Sequence, residues 1–375
     1  MSIQYRPTLA SIDLQALRHN VGEIKKRIPP GVALMAVVKA NAYGHGAVFC
    51  ARVFKGSGVE SLAVATPEEG MELRNAGLRG DIFVLDGLLK GKISHFQEFQ
   101  LTPVVHCRED LDRLAGELKD KERPLAVHLK IDTGMGRLGF LPQELDDVGQ
   151  TLRTHRQLAV TGILTHLAQA DEENAEPTDR QFLLFEKLRK ILPEKGLNAP
   201  LYHIANSAAI IDGRLTGFEV ARPGIMLYGC YPHPRHREKI SLKPVMTFKT
   251  EVMSVRKMPK GSPLGYGGTF VTERDSTIAA LPVGYADGYP RLVSNRGHVL
   301  IKGKKAKVVG RVSMDLTLVD VTDIGEVKTG DEAVLIGAQG SETVVAEEVA
   351  AWAETISYEI LCGISSRVPR VYTGL

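Results

Sequence analysis

Short apolar runs alternate with amphipathic stretches through the first two-thirds of the chain. Val32–Val38, Leu62–Ala65, Ile82–Leu85, Pro103–His106, Ala126–Ile131, Ala159–Leu164 and Leu201–Ile204 have the length and β-branched content of buried strands, with a weaker run near Phe218–Val220. Between them, Asp13–Ile28, Pro67–Ala76, Glu109–Leu118, Glu144–His155 and Asp179–Leu192 repeat their apolar residues at helical spacing. Asp13 is placed to cap the first of these, with Leu14, Leu17, Val21 and Ile24 on one face. Pro67, Glu68 and Glu69 suit a first turn, where proline loses no hydrogen bond and carboxylates meet the positive end of the dipole. Strand–helix alternation on this scale implies parallel strands joined by crossover helices. About eight such units over residues 1–240 predict an α/β fold, a closed (β/α)8 barrel of the TIM type rather than an open doubly wound sheet.

From Ser241 the pattern changes. Runs rich in Val, Ile and Thr follow one another at Val252–Val255, Thr277–Leu281, His298–Ile301, Lys307–Val309, Thr317–Val321 and Ala333–Ile336, and only Thr343–Trp352 reads as a helix. Residues 241–375 are therefore expected to form a second, mainly β domain, with the proline- and charge-rich His233–Lys239 as a hinge.

Composition narrows the function classes. A chain of 375 residues with 43% hydrophobic and 24% charged residues is that of a globular protein of about two domains. The net charge is only +3, and no basic block interleaved with aromatics marks a nucleic-acid groove. The apolar run Val32–Val38 is far shorter than the roughly 18 residues of a membrane span. MSIQYRPTLASIDL has no apolar core of an export signal, and Cys50, Cys107, Cys230 and Cys362 lack metal-type spacing. Reduced, buried thiols, a cytoplasmic location and no metal site are expected.

Candidate chemistry gathers at the predicted strand ends. Lys39 follows the first barrel strand in AVVKANAYGHG, and strand C-termini carry the active site of such a barrel. A lysine there either reaches for solvent or, when desolvated, condenses with an aldehyde. DTGMGRLGF with Arg137, His166 with Asp171, NSAA with Ser207 and ARPGIMLYG with Arg222 and Gly224 follow other strands. The hydroxyl of Ser207 and the backbone at Gly224 are suited to an anion such as a phosphate.

With AVVKANAYGHG, HLKIDTGMGRLGF, HIANSAA, ARPGIMLYG, GYGGTF, VGYADGYPR, GRVSMD and ISYEILCGISSRVPR in that order, the chain resembles the alanine racemases over nearly its whole length. The resemblance implies pyridoxal 5'-phosphate as cofactor, alanine as substrate and D-alanine for peptidoglycan as product. By that resemblance Lys39 binds the cofactor covalently and acts as one base, and Tyr266 acts as the other, helped by hydrogen bonds through His166 to Arg222. Arg222 faces the pyridine nitrogen. Tyr43, Ser207, Gly224, Ile225 and Tyr358 hold the phosphate, and His203 packs near the ring. Arg137 and the backbone of Met314 receive the substrate carboxylate, and Lys130 is the position that carries a carbamate in some members. Asp171, Tyr285, Arg291, Arg311 and Ile356 line the entrance. The family's homodimer shares its sites, the β domain of one subunit completing the barrel mouth of the other. Rival readings are a racemase of broader or different specificity, such as for serine, a non-catalytic pyridoxal-phosphate carrier and, more distantly, a two-domain decarboxylase. The β-domain motifs around Tyr266 and Met314 argue against the carrier.

Overall fold

A computed structural model of the chain describes residues 6–118, 124–215 and 217–374. Residues 1–5, part of the stretch read above for an export signal, lie outside the described residues. The first two-thirds contain the strands β1 (Leu9–Asp13), β2 (Ala33–Val37), β3 (Ser61–Val64), β4 (Asp81–Val84), β5 (Thr102–Val105), β6 (Leu125–Lys130), β7 (Leu158–Leu164), β8 (Leu201–His203) and β9 (Val220–Ala221). Among the described residues, eight of these form one parallel sheet in the order β8-β7-β6-β5-β4-β3-β2-β9. Backbone bonds from Glu219 N–H to Tyr202 O and from Arg222 N–H to Ala205 O, both 3.0 Å, join its two ends into a barrel. These strands read as unbroken apolar runs because both of their faces are covered, as the full burial of β3 illustrates. One irregularity interrupts the ladder. Val127 pairs with Val160 but His128 pairs with Gly162, so Thr161 is the extra residue of a bulge in β7.

The expected helices form within a few residues of their predicted ends. In α1 (Leu14–Arg27) the Asp13 carboxylate accepts from the N–H groups of Gln15 and Ala16, and Leu14, Leu17, Val21 and Ile24 are buried. Thr66 and Glu69 make a capping box at the helix Pro67–Asn75. Helices at Ala47–Gly56 and Ile93–Glu98 were not expected. Neither has a capping side chain, and the second is too short to display a period.

The remainder adds β10 (Met246–Glu251), β11 (Ser254–Met258), β12 (Pro263–Leu264), β13 (Phe270–Val271), β14 (Ser276–Leu281), β15 (His298–Ile301), β16 (Lys304–Val308), β17 (Thr317–Asp320), β18 (Glu332–Gln339), β19 (Glu342–Val344) and β20 (Arg370–Thr373). Its main sheet runs β11-β14-β17-β16-β15-β18-β10-β1-β20. Leu9–Asp13, assigned to the barrel by the expected division at residue 240, thus pairs in this sheet, antiparallel to β10 and parallel to β20. The expected strand Val252–Val255 falls on the joint between β10 and β11, and the expected helix Thr343–Trp352 starts only at Ala346, after β19.

The two units are tied together. Asn20 of α1 donates to Leu227 O in the barrel and to Lys243 O in the β unit, and its Oδ1 accepts from Lys243 N–H (2.8 Å). The expected hinge is fastened on both sides. Arg235 and Lys239 pair with Asp212 at 3.0 and 2.6 Å, Arg237 pairs with Glu347 at 3.2 Å, and His236 is buried. All four cysteines are free, but only Cys50 and Cys230 are buried, whereas Cys107 is half-buried and Cys362 exposed. No helix among the described residues is long and apolar enough to cross a membrane.

Candidate active site

At the mouth of the barrel the backbone leaves β2 and winds the wrong way. Ala40, Asn41, Ala42 and Tyr43 have φ between 51° and 54°, a left-handed turn made without glycine. Such a conformation costs roughly 1–2 kcal/mol per residue, so neighbouring groups must hold it. Glu69 accepts from Ala40 N–H (2.6 Å), and the Asn41 side chain accepts from Ala47 N–H (2.8 Å). Arg370, from the far end of the chain, donates to Gly44 O (2.9 Å) while its other nitrogens cap Ile364, Ser365 and Val368 carbonyls. Gly44 cannot be replaced: its φ is +81°, and a Cβ there would come within 2.2 Å of Leu361 O. The result is a rigid shelf that presents Lys39 to a cavity of about 200 Å³.

Beside Lys39 the cavity is lined by Tyr43, Ser207, Gly224, Ile225 and Tyr358. Ser207 Oγ accepts from Gly224 N–H at 2.9 Å. A Cβ at Gly224 would lie 2.4 Å from Tyr43 Oη, so only glycine leaves this corner open. Burial pushes the phenols of Tyr43 and Tyr358 up, which keeps both as neutral hydroxyl donors. Neutral hydroxyls and backbone N–H groups around a small concavity suit a phosphate.

Arg222 lies 4% exposed at the cavity wall. One nitrogen donates to His203 Nδ1 (2.7 Å), another to the carbonyls of Thr165 (2.7 Å) and Ile204 (3.2 Å). Every acceptor is neutral. Burial draws the guanidinium pKa down to about 9, so it remains charged at neutral pH. The expected bond from His166 to Arg222 is not made within the chain, because the arginine's bonds run to His203 and the carbonyls. His166 lines the cavity as a neutral ring, its pKa drawn down to about 3 by burial and then by Arg222, Lys130, Arg137 and Lys39.

Across the cavity, Lys130 and Arg137 share a wall with Asp86. Asp132 organises the loop that carries Arg137, accepting from the N–H groups of Gly134, Met135 and Gly136 at 2.8 Å each. Lys130 is almost buried, and desolvation together with Arg137 and Arg222 draws its amine down to about 8. Leu85, Asp86, Asn206 and Pro232 also line the cavity and were not anticipated. Leu85 and Asp86 follow the end of β4 and Asn206 flanks Ser207, which is the signal that could have found them, whereas nothing local marks Pro232.

The remaining expected residues divide. Asp171 lines the cavity, whereas Tyr266, Tyr285, Met314, Arg291, Arg311 and Ile356 are exposed and outside it. Tyr266 is 72% and Met314 54% exposed, unusual for side chains of this size. The Tyr266 and Met314 segments adjoin. A Cβ at Gly267 would touch the Arg311 guanidinium (3.0 Å), and Ala286 N–H donates to Met314 O.

The family profile described as "Alanine racemase, N-terminal domain" matches residues 12–232, and "Alanine racemase, C-terminal domain" matches residues 245–372. The chain belongs to the alanine racemase family. It is 45% identical over 370 residues to the alanine racemase of Halothermothrix orenii, covering 98% of this chain and 97% of that one. The alanine racemase of Desulforamulus reducens is also 45% identical, over 98% of this chain and 99% of its own. Among solved structures, alanine racemase from D-cycloserine-producing Streptomyces lavendulae superposes with a TM-score of 0.95 at 37% identity, covering 100% of this chain and 98% of its own. That from Bacillus anthracis, solved with bound L-Ala-P, gives 0.91 at 35% identity over 100% of this chain and 96% of its own. The barrel with a β unit is thus the alanine racemase fold.

Proposed function

We propose that the protein is an isomerase that interconverts L-alanine and D-alanine with pyridoxal 5'-phosphate, in the cytoplasm, supplying D-alanine for peptidoglycan. The observation that carries this reading is the meeting of Lys39 and Arg222 in one cavity, beside a corner that a single Cβ at Gly224 would close. The donor set fits the cofactor. Lys39 offers a primary amine for an aldehyde. Tyr43, Ser207 and Tyr358, with the backbone at Gly224 and Ile225, offer neutral donors to a phosphate. Arg222, backed by His203, meets a ring nitrogen with a charge that it does not give up as a proton. When bound, pyridoxal phosphate withdraws electrons from the substrate α-carbon and makes its proton removable.

The chain's own residues do the rest. Arg137 and the backbone N–H of Met314 orient the substrate carboxylate. Lys39 Nζ takes or returns the α-proton on one face, and a phenol does so on the other. Tyr266 is that phenol, and its exposure outside the cavity of its own chain supports a second copy as the donor. The assembly is a head-to-tail homodimer in which residues 241–375 complete the site held by residues 1–240 of the partner. Asp171, Tyr285, Arg291, Arg311 and Ile356 then frame a narrow, mixed-charge entrance suited to a small zwitterion. A tyrosine with a reference pKa near 10 needs help to act as a base. Neutral His166, at the cavity edge near Arg222, supplies it in the dimer.

Two measurements test the reading together. Either enantiomer of alanine incubated in deuterated water becomes the mixture, the product enantiomer carrying solvent deuterium at the α-carbon. Borohydride then fixes the cofactor on Lys39. Interconversion without solvent exchange, or an adduct mapped to another lysine, overturns it.

A further inference from the structure

Behind Arg222, away from the cavity, two histidines continue the hydrogen-bond chain into the barrel. His203 Nε2 lies 3.0 Å from His128 Nδ1, and both rings are 0% exposed. The protons on this chain are fixed by elimination. The Arg222 guanidinium only donates, so His203 Nδ1, 2.7 Å away, must carry a lone pair. A neutral His203 then bears its proton on Nε2 and donates it to His128. His128 Nδ1 must therefore accept, and its own proton sits on Nε2. That last nitrogen has no hydrogen-bond partner in the core. Protonating either ring would set two donors face to face.

The fold provides a niche for the terminal ring. The bulge at Thr161 brings Gly162 opposite His128, and a Cβ on Gly162 would lie 2.4 Å from the imidazole. The ring of Phe83 covers His128 at 4.4 Å between centroids. A bulge, a glycine and an aromatic together hold one imidazole whose only polar contact is the lone pair it offers to His203. A buried polar group with an unsatisfied N–H is costly, so its retention in the apolar middle of β6, before Lys130, asks for a reason.

We propose that His128 is a positioning residue of the racemase: by accepting from His203 it locks that ring's tautomer and rotamer, and so fixes the Arg222 guanidinium at the cavity wall. The inference rests on the reading above only in making Arg222 part of the reaction; the proton pattern itself stands or falls without it. Both rings are shielded from titration by burial and by the charge of Arg222, which draws His128 down to about 3 and His203 well below the ordinary range.

Nitrogen NMR of ¹⁵N-histidine-labelled holoenzyme and cofactor-free protein reads the pattern directly. In both forms, Nδ1 of His128 and of His203 should give the shift of a bare nitrogen and Nε2 that of a protonated one, unchanged from about pH 6 to about pH 9. A protonated Nδ1 on His128, or titration of either ring in that range, overturns the proposal whether or not the enzyme racemises alanine. The functional half is read with two substitutions. His128→Asn keeps an acceptor at the Nδ1 position and should stay within about threefold of the parent kcat. His128→Leu strands the His203 N–H without an acceptor and should lose about tenfold or more in kcat with KM little changed. Equal losses in the two variants would make His128 a packing residue, and an undiminished His128→Leu would remove its link to Arg222.

Discussion

Lys130 sits beside two arginines, in a place that favours an uncharged amine. Its pKa falls from the ordinary 10.5 to about 8, so the unfolded chain holds an extra proton between those values. This residue's contribution to stability therefore rises with pH across that window, and its penalty is complete below it. A neutral amine between cations is also the form that adds carbon dioxide, and the carbamate would turn a repulsive neighbour of Arg137 into an attractive one. Labelled bicarbonate should give a carbamate carbon resonance that strengthens from about pH 7 to about pH 8.5 and vanishes in Lys130→Met. A resonance that survives the substitution, or none at all, contradicts this. Tyr358 crowds the same cavity. Its ring lies 6.0 Å from that of Tyr43 and half-buried at the cavity. If it limits the side chain that fits, Tyr358→Ala raises turnover of serine relative to alanine by roughly tenfold while both fall. An unchanged ratio would place the size limit elsewhere.

The left-handed turn from Ala40 to Tyr43 is the element on which the site depends, and its strain can be measured. Ala40 is exposed and has φ 51°. In an ordinary helix Ala→Gly costs about 1 kcal/mol, but here glycine removes a clash of about that size or more. Ala40→Gly should leave stability unchanged or raise it by up to about 1 kcal/mol in denaturant titration, and lower kcat because Lys39 is held less firmly. A loss of about 1 kcal/mol would mean the turn is not strained. This turn also marks the limit of reading elements from the pattern of residues. Barrel strands are legible because burial on both faces makes each a continuous apolar run, and Lys39, Arg137, His166, Ser207 and Arg222 are legible because each follows one. Nothing in KANAY announces four positive φ angles, since the restraints come from Glu69 and Arg370, close in space but 30 and 331 residues from Lys39. Leu9–Asp13 looks like any neighbouring strand, and only its pairing with β10 and β20 reveals its sheet. His128 left a trace in the polar letter within AVHLK, but the bulge that accommodates it lies in another strand.

For the molecule as a whole, buried neutral histidines set its response to acid. His45, drawn down to about 4, His128 and His166, each to about 3, and His203, drawn well below its ordinary range, are kept neutral by burial. Above the ordinary histidine range they cost nothing. As pH falls below about 6.5 the unfolded chain takes up protons that the folded one refuses, so stability drops by about 1.4 kcal/mol per pH unit for each group. Four such groups give roughly 5 kcal/mol per unit before most carboxylates titrate. Urea midpoints of the holoenzyme should fall steeply between about pH 6.5 and about pH 5 at fixed protein concentration, and a flat profile there would contradict this burial pattern.

In the proposed dimer the two bases of one site come from two copies of the chain. Lys39 lies in the barrel cavity, whereas Tyr266 stands exposed on the β unit, outside it. Lys39→Ala and Tyr266→Ala should each be nearly inactive as homodimers. Mixed under conditions that exchange subunits, they form a heterodimer in which one site carries both lesions and the other carries none. Racemisation should then return, to at most about half the parent activity per heterodimer. If both bases belonged to one chain, every site would keep a lesion, so verified exchange with no recovered activity would contradict a shared site.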